Sequence, residues 1–326
     1  MQPASMRATT ARSSRLHRPS SRTLAVASLL VGAVCFGLGT VATKGALDGF
    51  APITLAGLRF GIAAVVLTVL CRARGVRPVY DSRAVLLGLT GIAAPFTLQN
   101  LGLQDTGAGI ATLLIEGGLP LTTAVLGVAI LRERVSGSRL AGLVLGVGGV
   151  AVVTINELGG GLPLSGCVLA LSASAALAVY TVLGRKIFRE GFSLAVLTGG
   201  TTIGTLMLVP LVSIEICAGA GEMPSPSLDD LLLVLFLGLV CSAATQLLWS
   251  HGMAHLDAAE IGIFGTLMPV VGIIAAATFL GEAITLTQVA GAALIAAGMV
   301  VTARTTPLRR PNITRWTRRP ALAAHA

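Results

Sequence analysis

Charge is scarce in this sequence. Asp, Glu, Lys and Arg make up 11% of 326 residues, where a soluble domain carries about 25%. So little charge cannot cover a water-facing surface, which excludes an ordinary soluble globule. Aromatic residues are scarce too, at 4% with two Trp and two Tyr. That removes the stacking platforms on which bases are read, and with them nucleic acid as a partner, despite a net charge of +9. The five cysteines, Cys35, Cys71, Cys167, Cys217 and Cys241, contain no CxxC pair. No metal-ligand spacing is present, so no metal and no cofactor are expected. A GxxxxGK[ST] phosphate loop is missing, and no Ser-His-Asp or paired-carboxylate grouping is legible, so the chain is not expected to be an enzyme. A membrane-embedded enzyme or sensor without transport activity is the alternative reading, and it lacks such a constellation.

Apolar residues and glycine are abundant. Hydrophobic residues make up 54% of the chain, 40 residues are glycine, and mean hydropathy is +0.87. The glycines are scattered through apolar runs without a three-residue period, which excludes collagen. The runs recur at 24–43, 52–71, 84–103, 107–131, 138–155, 164–184, 193–214, 229–250, 258–280 and 285–303. Each is about 18–25 residues long, enough for a helix to cross roughly 30 Å of hydrocarbon. The fold class expected is an all-α polytopic membrane protein with ten transmembrane helices. The breaks near Asp105 and Asp257 are the least marked.

The basic residues test that count. With the N-terminus in the cytoplasm and ten alternating helices, 21 of the 23 Lys and Arg fall on the cytoplasmic side. Lys44 lies outside and Arg59 within a span. A wrong helix count would scramble this parity, so the positive-inside bias sets both termini in the cytoplasm of an inner (plasma) membrane protein. Residues 1–23 and 304–326 read as basic cytoplasmic tails.

The two halves resemble each other. At an offset of 149, Pro120 falls on Pro269, Leu131-x-Glu133 on Leu280-x-Glu282, and Ala141-Gly142 on Ala290-Gly291. Each half, 24–156 and 157–303, holds five spans. An odd number turns the second copy upside down, giving two inverted five-helix repeats, a plan common among secondary transporters.

These residues also carry a family resemblance. Cys35-Phe36-Gly37 to Lys44, Pro52 with Arg59-Phe60, Pro120 before Leu131-Arg132-Glu133-Arg134-Val135, and Pro269 before Leu280-Gly281-Glu282 resemble the ten-helix EamA-type branch of the drug/metabolite transporter superfamily. Phe36 stands where the family often has Trp, and Glu116 where it is usually neutral. The resemblance implies alternating-access export of small metabolites, amino-acid-like compounds or drugs, without ATP. The partners expected are a small-molecule substrate, the lipid bilayer and, for coupling, protons. A homodimer is one candidate assembly.

Candidate site residues follow from the cost of burying polar groups in lipid. A charge at the centre of a spanning helix costs about 2.5–3.5 kcal/mol on insertion scales. Arg59 and Glu116 should therefore face the interior, where their similar depths allow a direct or water-bridged pair. Glu116 and Glu260 are candidates for proton coupling. Gln99, Asn100, Tyr180, Thr181, Gln246 and Trp249 should also turn inward, and the resemblance implies that their helices line the central cavity. Glu133 and Glu282 end their helices and are expected to cap or tie the helix that follows. Pro95, Pro120 and Pro269 lie inside spans and can kink them. Gly57/Gly61, Gly142/Gly146 and Gly200/Gly204 are spaced for close helix approach, expected within one chain. His251 and His255 share a helix face as an interfacial pair or a proton relay.

Overall fold

The computed structural model describes residues 21–131, 137–159, 164–189, 193–218, 226–256, 261, 264–265 and 267–304. All the regular structure among them is helical. We number the helices α1 (Ser21–Ala46), α2 (Pro52–Ala73), α3 (Ser82–Asp105), α4 (Ala108–Leu131), α5 (Gly137–Gly159), α6 (Leu164–Arg189), α7 (Leu194–Cys217), α8 (Leu228–His255), α9 (Leu267–Phe279) and α10 (Leu286–Arg304). Six of them, α1, α2, α3, α6, α7 and α8, are long and apolar enough to cross a membrane. The described apolar stretches of the other four are shorter, at Ala108–Leu119, Leu140–Ile155, Leu267–Phe279 and Leu286–Val301.

Local chemistry sets the helix ends. Pro52 opens α2, where a missing N–H costs nothing. The Asp81 carboxylate accepts from the backbone N–H groups of Arg83 and Ala84 and starts α3. Ser227 and Asp230 form a reciprocal capping box at the start of α8. The break near Asp105 is present: Thr106 is extended, and α4 begins at Ala108.

Two helices depart from α geometry in their middles. Leu89–Ala93 in α3 and Leu239–Ala244 in α8 are π-helical. In α3 the π turn runs into Pro95, which cannot donate to the turn before it. In α8 no proline is involved; the Thr245 hydroxyl donates instead to the Val240 carbonyl at 2.8 Å, five residues back.

Polarity is reversed relative to a soluble bundle. Val65, Val69, Leu206, Ile214, Leu232 and Ile274 are exposed, while Thr43, Arg59, Gln99, Asn100, Glu116, Ser242 and Thr245 are buried. An apolar outside with a polar inside suits lipid as solvent. Helix α5 packs on α10, α2 on α7 and α4 on α9; α3 lies against α6 and α7, and α1 against α8 and α9. Glycine permits the closest crossings. A Cβ at Gly149 would stand 2.7 Å from the Gly291 carbonyl oxygen, and one at Gly204 2.7 Å from that of Gly88. The Gly142/Gly146 and Gly200/Gly204 pairs thus join helices of the same chain. Gly61 has nothing within 4 Å of that position, so its spacing from Gly57 serves no such contact.

Candidate functional site

The helices enclose a central cleft of about 500 Å³, built by α1, α2, α3, α6, α7 and α8. Phe36 and Trp249 close one wall edge to face, with ring centroids 5.5 Å apart. Across from them Tyr180 lies on Gly91, where any Cβ would strike its ring. Gln246 accepts a hydrogen bond from the Thr201 hydroxyl at 2.8 Å. Its Nε2 is buried without a partner among the described residues. The two π turns both reach this cleft, the first through Gly91 and Ile92, the second through Cys241 and Ser242. A π turn widens the helix by one residue and is common where a helix builds a site.

A narrower chamber of about 210 Å³ opens from the same cleft, sharing Phe36, Phe96 and Cys241 with it. Its polar walls are Thr40, Arg59, Gln99 and Glu116. Arg59 is 2% exposed. It donates from Nε to the Ser242 hydroxyl at 3.0 Å, from Nη1 to the Thr43 hydroxyl at 3.1 Å and from Nη2 to the Cys241 carbonyl at 3.5 Å. Its guanidinium carbon also lies 4.8 Å from the Phe96 ring centroid and 5.1 Å from that of Phe60. These neutral contacts hold the fork without discharging it. Glu116, 3% exposed, makes no hydrogen bond or ion pair among the described residues. The direct Arg59–Glu116 pair is therefore not formed. Arg59 is braced by α1 and α8 instead, and the two charges face one chamber.

The other sequence candidates lie elsewhere. The Asn100 Nδ2 donates to the Pro52 carbonyl at 2.8 Å, tying α3 to the start of α2 outside both chambers. The Thr181 hydroxyl donates to Leu177 on its own helix and lines neither chamber. Glu133 and Glu260 fall outside the described residues. Glu282 does hold a helix end. Gly281, with φ +68°, turns the chain so that the carboxylate accepts from the Ala108 N–H at 2.6 Å and the Gly109 N–H at 2.9 Å, at the start of α4. His251 and His255 stack at the end of α8 with ring centroids 4.2 Å apart.

Two further residues were not legible as structural. Glu215 accepts from the Ile53 and Thr54 backbone N–H groups at 2.9 and 2.7 Å and from the Thr54 hydroxyl at 2.7 Å. Its partners lie some 160 residues away in sequence, so no local signal marks it. Lys44 donates to the Leu103 carbonyl at the end of α3. Among the cleft-lining residues, Thr201 escaped notice because a threonine in an apolar helix ordinarily bonds its own i−4 carbonyl, as Thr201 also does to Leu197.

Against known proteins, the EamA-like transporter family matches residues 23–155 and again 164–304. The chain belongs to that family. It is thus a multi-pass membrane transporter. A probable amino-acid metabolite efflux pump of Salmonella typhimurium is 28% identical over 83% of this chain and 92% of its own. A probable terminal-alkyne amino-acid exporter of Streptantibioticus cattleyicolor is 28% identical over 88% of this chain and 95% of its own. An uncharacterized transporter of Archaeoglobus fulgidus is 26% identical over 82% and 95%. A solved crystal structure at 20% identity superposes with a TM-score of 0.60, covering 87% of this chain and 98% of that one, and shares the fold.

Proposed function

We propose that this family member is a secondary exporter of small amino-acid-like metabolites, working by alternating access around the central cleft. The observation that carries the reading is the cleft itself: buried polar side chains from both halves of the chain converge there inside an apolar exterior. The names of the two exporter relatives support the substrate class.

The finer architecture is ten spanning helices in two inverted repeats. The doubled family match supports it. So does the exchange of helix contacts: α3 meets α6 and α7 as α8 meets α1 and α2, and α4 meets α6 as α9 meets α1. The π turns add support, since they occupy the third helix of each half about 150 residues apart. The basic loops and tails place both termini in the cytoplasm. Protons are the proposed coupling ion, as export then draws on a gradient without ATP.

Counterflow with the purified full chain in liposomes tests the function. Radiolabelled L-amino acids should accumulate in preloaded vesicles above protein-free controls. No accumulation of any of them by folded, monodisperse protein would overturn the substrate class. An inside-alkaline against an inside-acid gradient, imposed on net flux, would then read the coupling.

A further inference from the structure

Glu116 and Arg59 are buried, opposite in charge and open to one chamber, yet no ion pair joins them. A protein interior normally offsets the cost of two desolvated ions by pairing them directly. Here Arg59 is held on its own wall by Thr43, Ser242 and the Cys241 carbonyl. A guanidinium has five N–H donors. Three are directed at these groups, which leaves one on each Nη in a fixed position. Glu116 sits in the middle of α4, where the helical ladder already uses the backbone N–H groups, so no backbone donor is available to its carboxylate.

We propose that this chamber is the head-group subsite for an amino-acid-like zwitterion. The ammonium group lies on Glu116 and the carboxylate on the two remaining Arg59 N–H groups. The substrate side chain extends into the wider, mostly apolar cleft toward Phe36, Leu197 and Trp249. The inference rests on the exporter reading above and names the groups that would select its substrate. The two charges discriminate in both directions. A bare amine leaves Arg59 without its anion, and a bare acid brings a second carboxylate into the chamber with Glu116, so each lacks half of the recognition. Gln99 and Thr40, on the same walls, supply neutral donors and acceptors for the lone pairs and protons that remain.

The decisive experiment starts with the unaltered full chain in liposomes. The radiolabelled L-amino acid most strongly accumulated by counterflow is competed with two unlabelled analogues: the amine formed by removing its carboxylate, and the acid formed by removing its amine. Both should compete at least tenfold more weakly than the amino acid. Equal competition by either analogue, with the amino acid still accumulated, overturns the head-group subsite and leaves the exporter reading intact. Failure to accumulate any amino acid overturns the exporter reading itself, and the subsite with it. Variants then assign the groups. Glu116→Gln should weaken the amino acid more than tenfold and leave the acid within twofold; Arg59→Gln should do the reverse for the amine. Wild-type affinity in folded Glu116→Gln, with only its response to a pH gradient lost, would give Glu116 to a proton and overturn the proposal. Should a variant fail to fold, the analogue series on the unaltered chain still decides.

Discussion

Glu215 and Glu282 at helix ends contrast with Glu116 in mid-helix. The first two carboxylates meet the N-termini of α2 and α4, where orphan backbone N–H groups and the helix dipole receive a negative charge. The third is in a helix interior, where no such donors exist. The same side chain is thus a tie in one place and an open acceptor in the other. What separates them is the supply of unused backbone donors, and burial alone does not distinguish them: Glu116 and Glu215 are 3% and 8% exposed.

The contrast is sharpest at Glu215. Glu215→Ala removes the acceptor of three hydrogen bonds and should lower stability by about 3 kcal/mol, since bonds to a charged group are worth roughly 1.5–3 kcal/mol each and losses are not additive. Thermal unfolding in detergent would read this, and counterflow per folded molecule should be unchanged. Glu282→Gln keeps one acceptor oxygen, and its site is half-buried, so about 1.5 kcal/mol is expected. Loss of flux at full stability would make it a working part of the transport cycle. On the inverted-repeat proposal Glu133→Gln should cost a similar amount; a null effect there would break the symmetry between the halves.

Glu116→Gln should move stability the other way. With no partner to lose, exchanging a buried charge for a neutral amide should leave Tm unchanged or raise it in the absence of substrate. A fall of several degrees would mean that Glu116 is a tie after all. Lys44→Met comes next in size. It withdraws one charged donor from the Leu103 carbonyl, and about 1 kcal/mol is expected from unfolding in detergent. Asp81 lies at an exposed helix start, where its hydrogen bond from Arg83 holds the carboxyl below its ordinary pKa. A lowered carboxyl pKa contributes stability above the ordinary value and loses it as pH falls through the lowered one. Asp81→Asn should therefore flatten a small acid-side loss of stability in a pH series and leave neutral pH nearly unchanged.

The helices were largely legible because apolar runs end where glycine, proline and charge interrupt them, as at Asp48-Gly49 and Asp105. Glu282 was legible as a helix end because it follows Gly281 after an apolar run. Arg59 and Glu116 were legible as inward-facing, since lipid tolerates neither. Their failure to pair was not, because that depended on Ser242, 183 residues further along the chain, reaching Arg59 first. The π turns were equally hidden. Pro95 suggested a kink in α3, and nothing in Leu239–Ala244 differs from an ordinary apolar helix.

Those π turns make the cleft sensitive to the length of the chain as well as to its composition. Each holds one residue more than an α turn, so deleting a single residue from Leu89–Ala93 would let the ladder close as ordinary helix. Everything between there and Asp105 would then rotate by about 100°. Gln99 would swing off the chamber wall and another side chain would take its bearing, with no substitution anywhere. The same holds beyond Leu239–Ala244 for Gln246 and Trp249. One-residue insertions and deletions at these two turns are thus a route by which members of this family re-aim an entire cavity wall in one step.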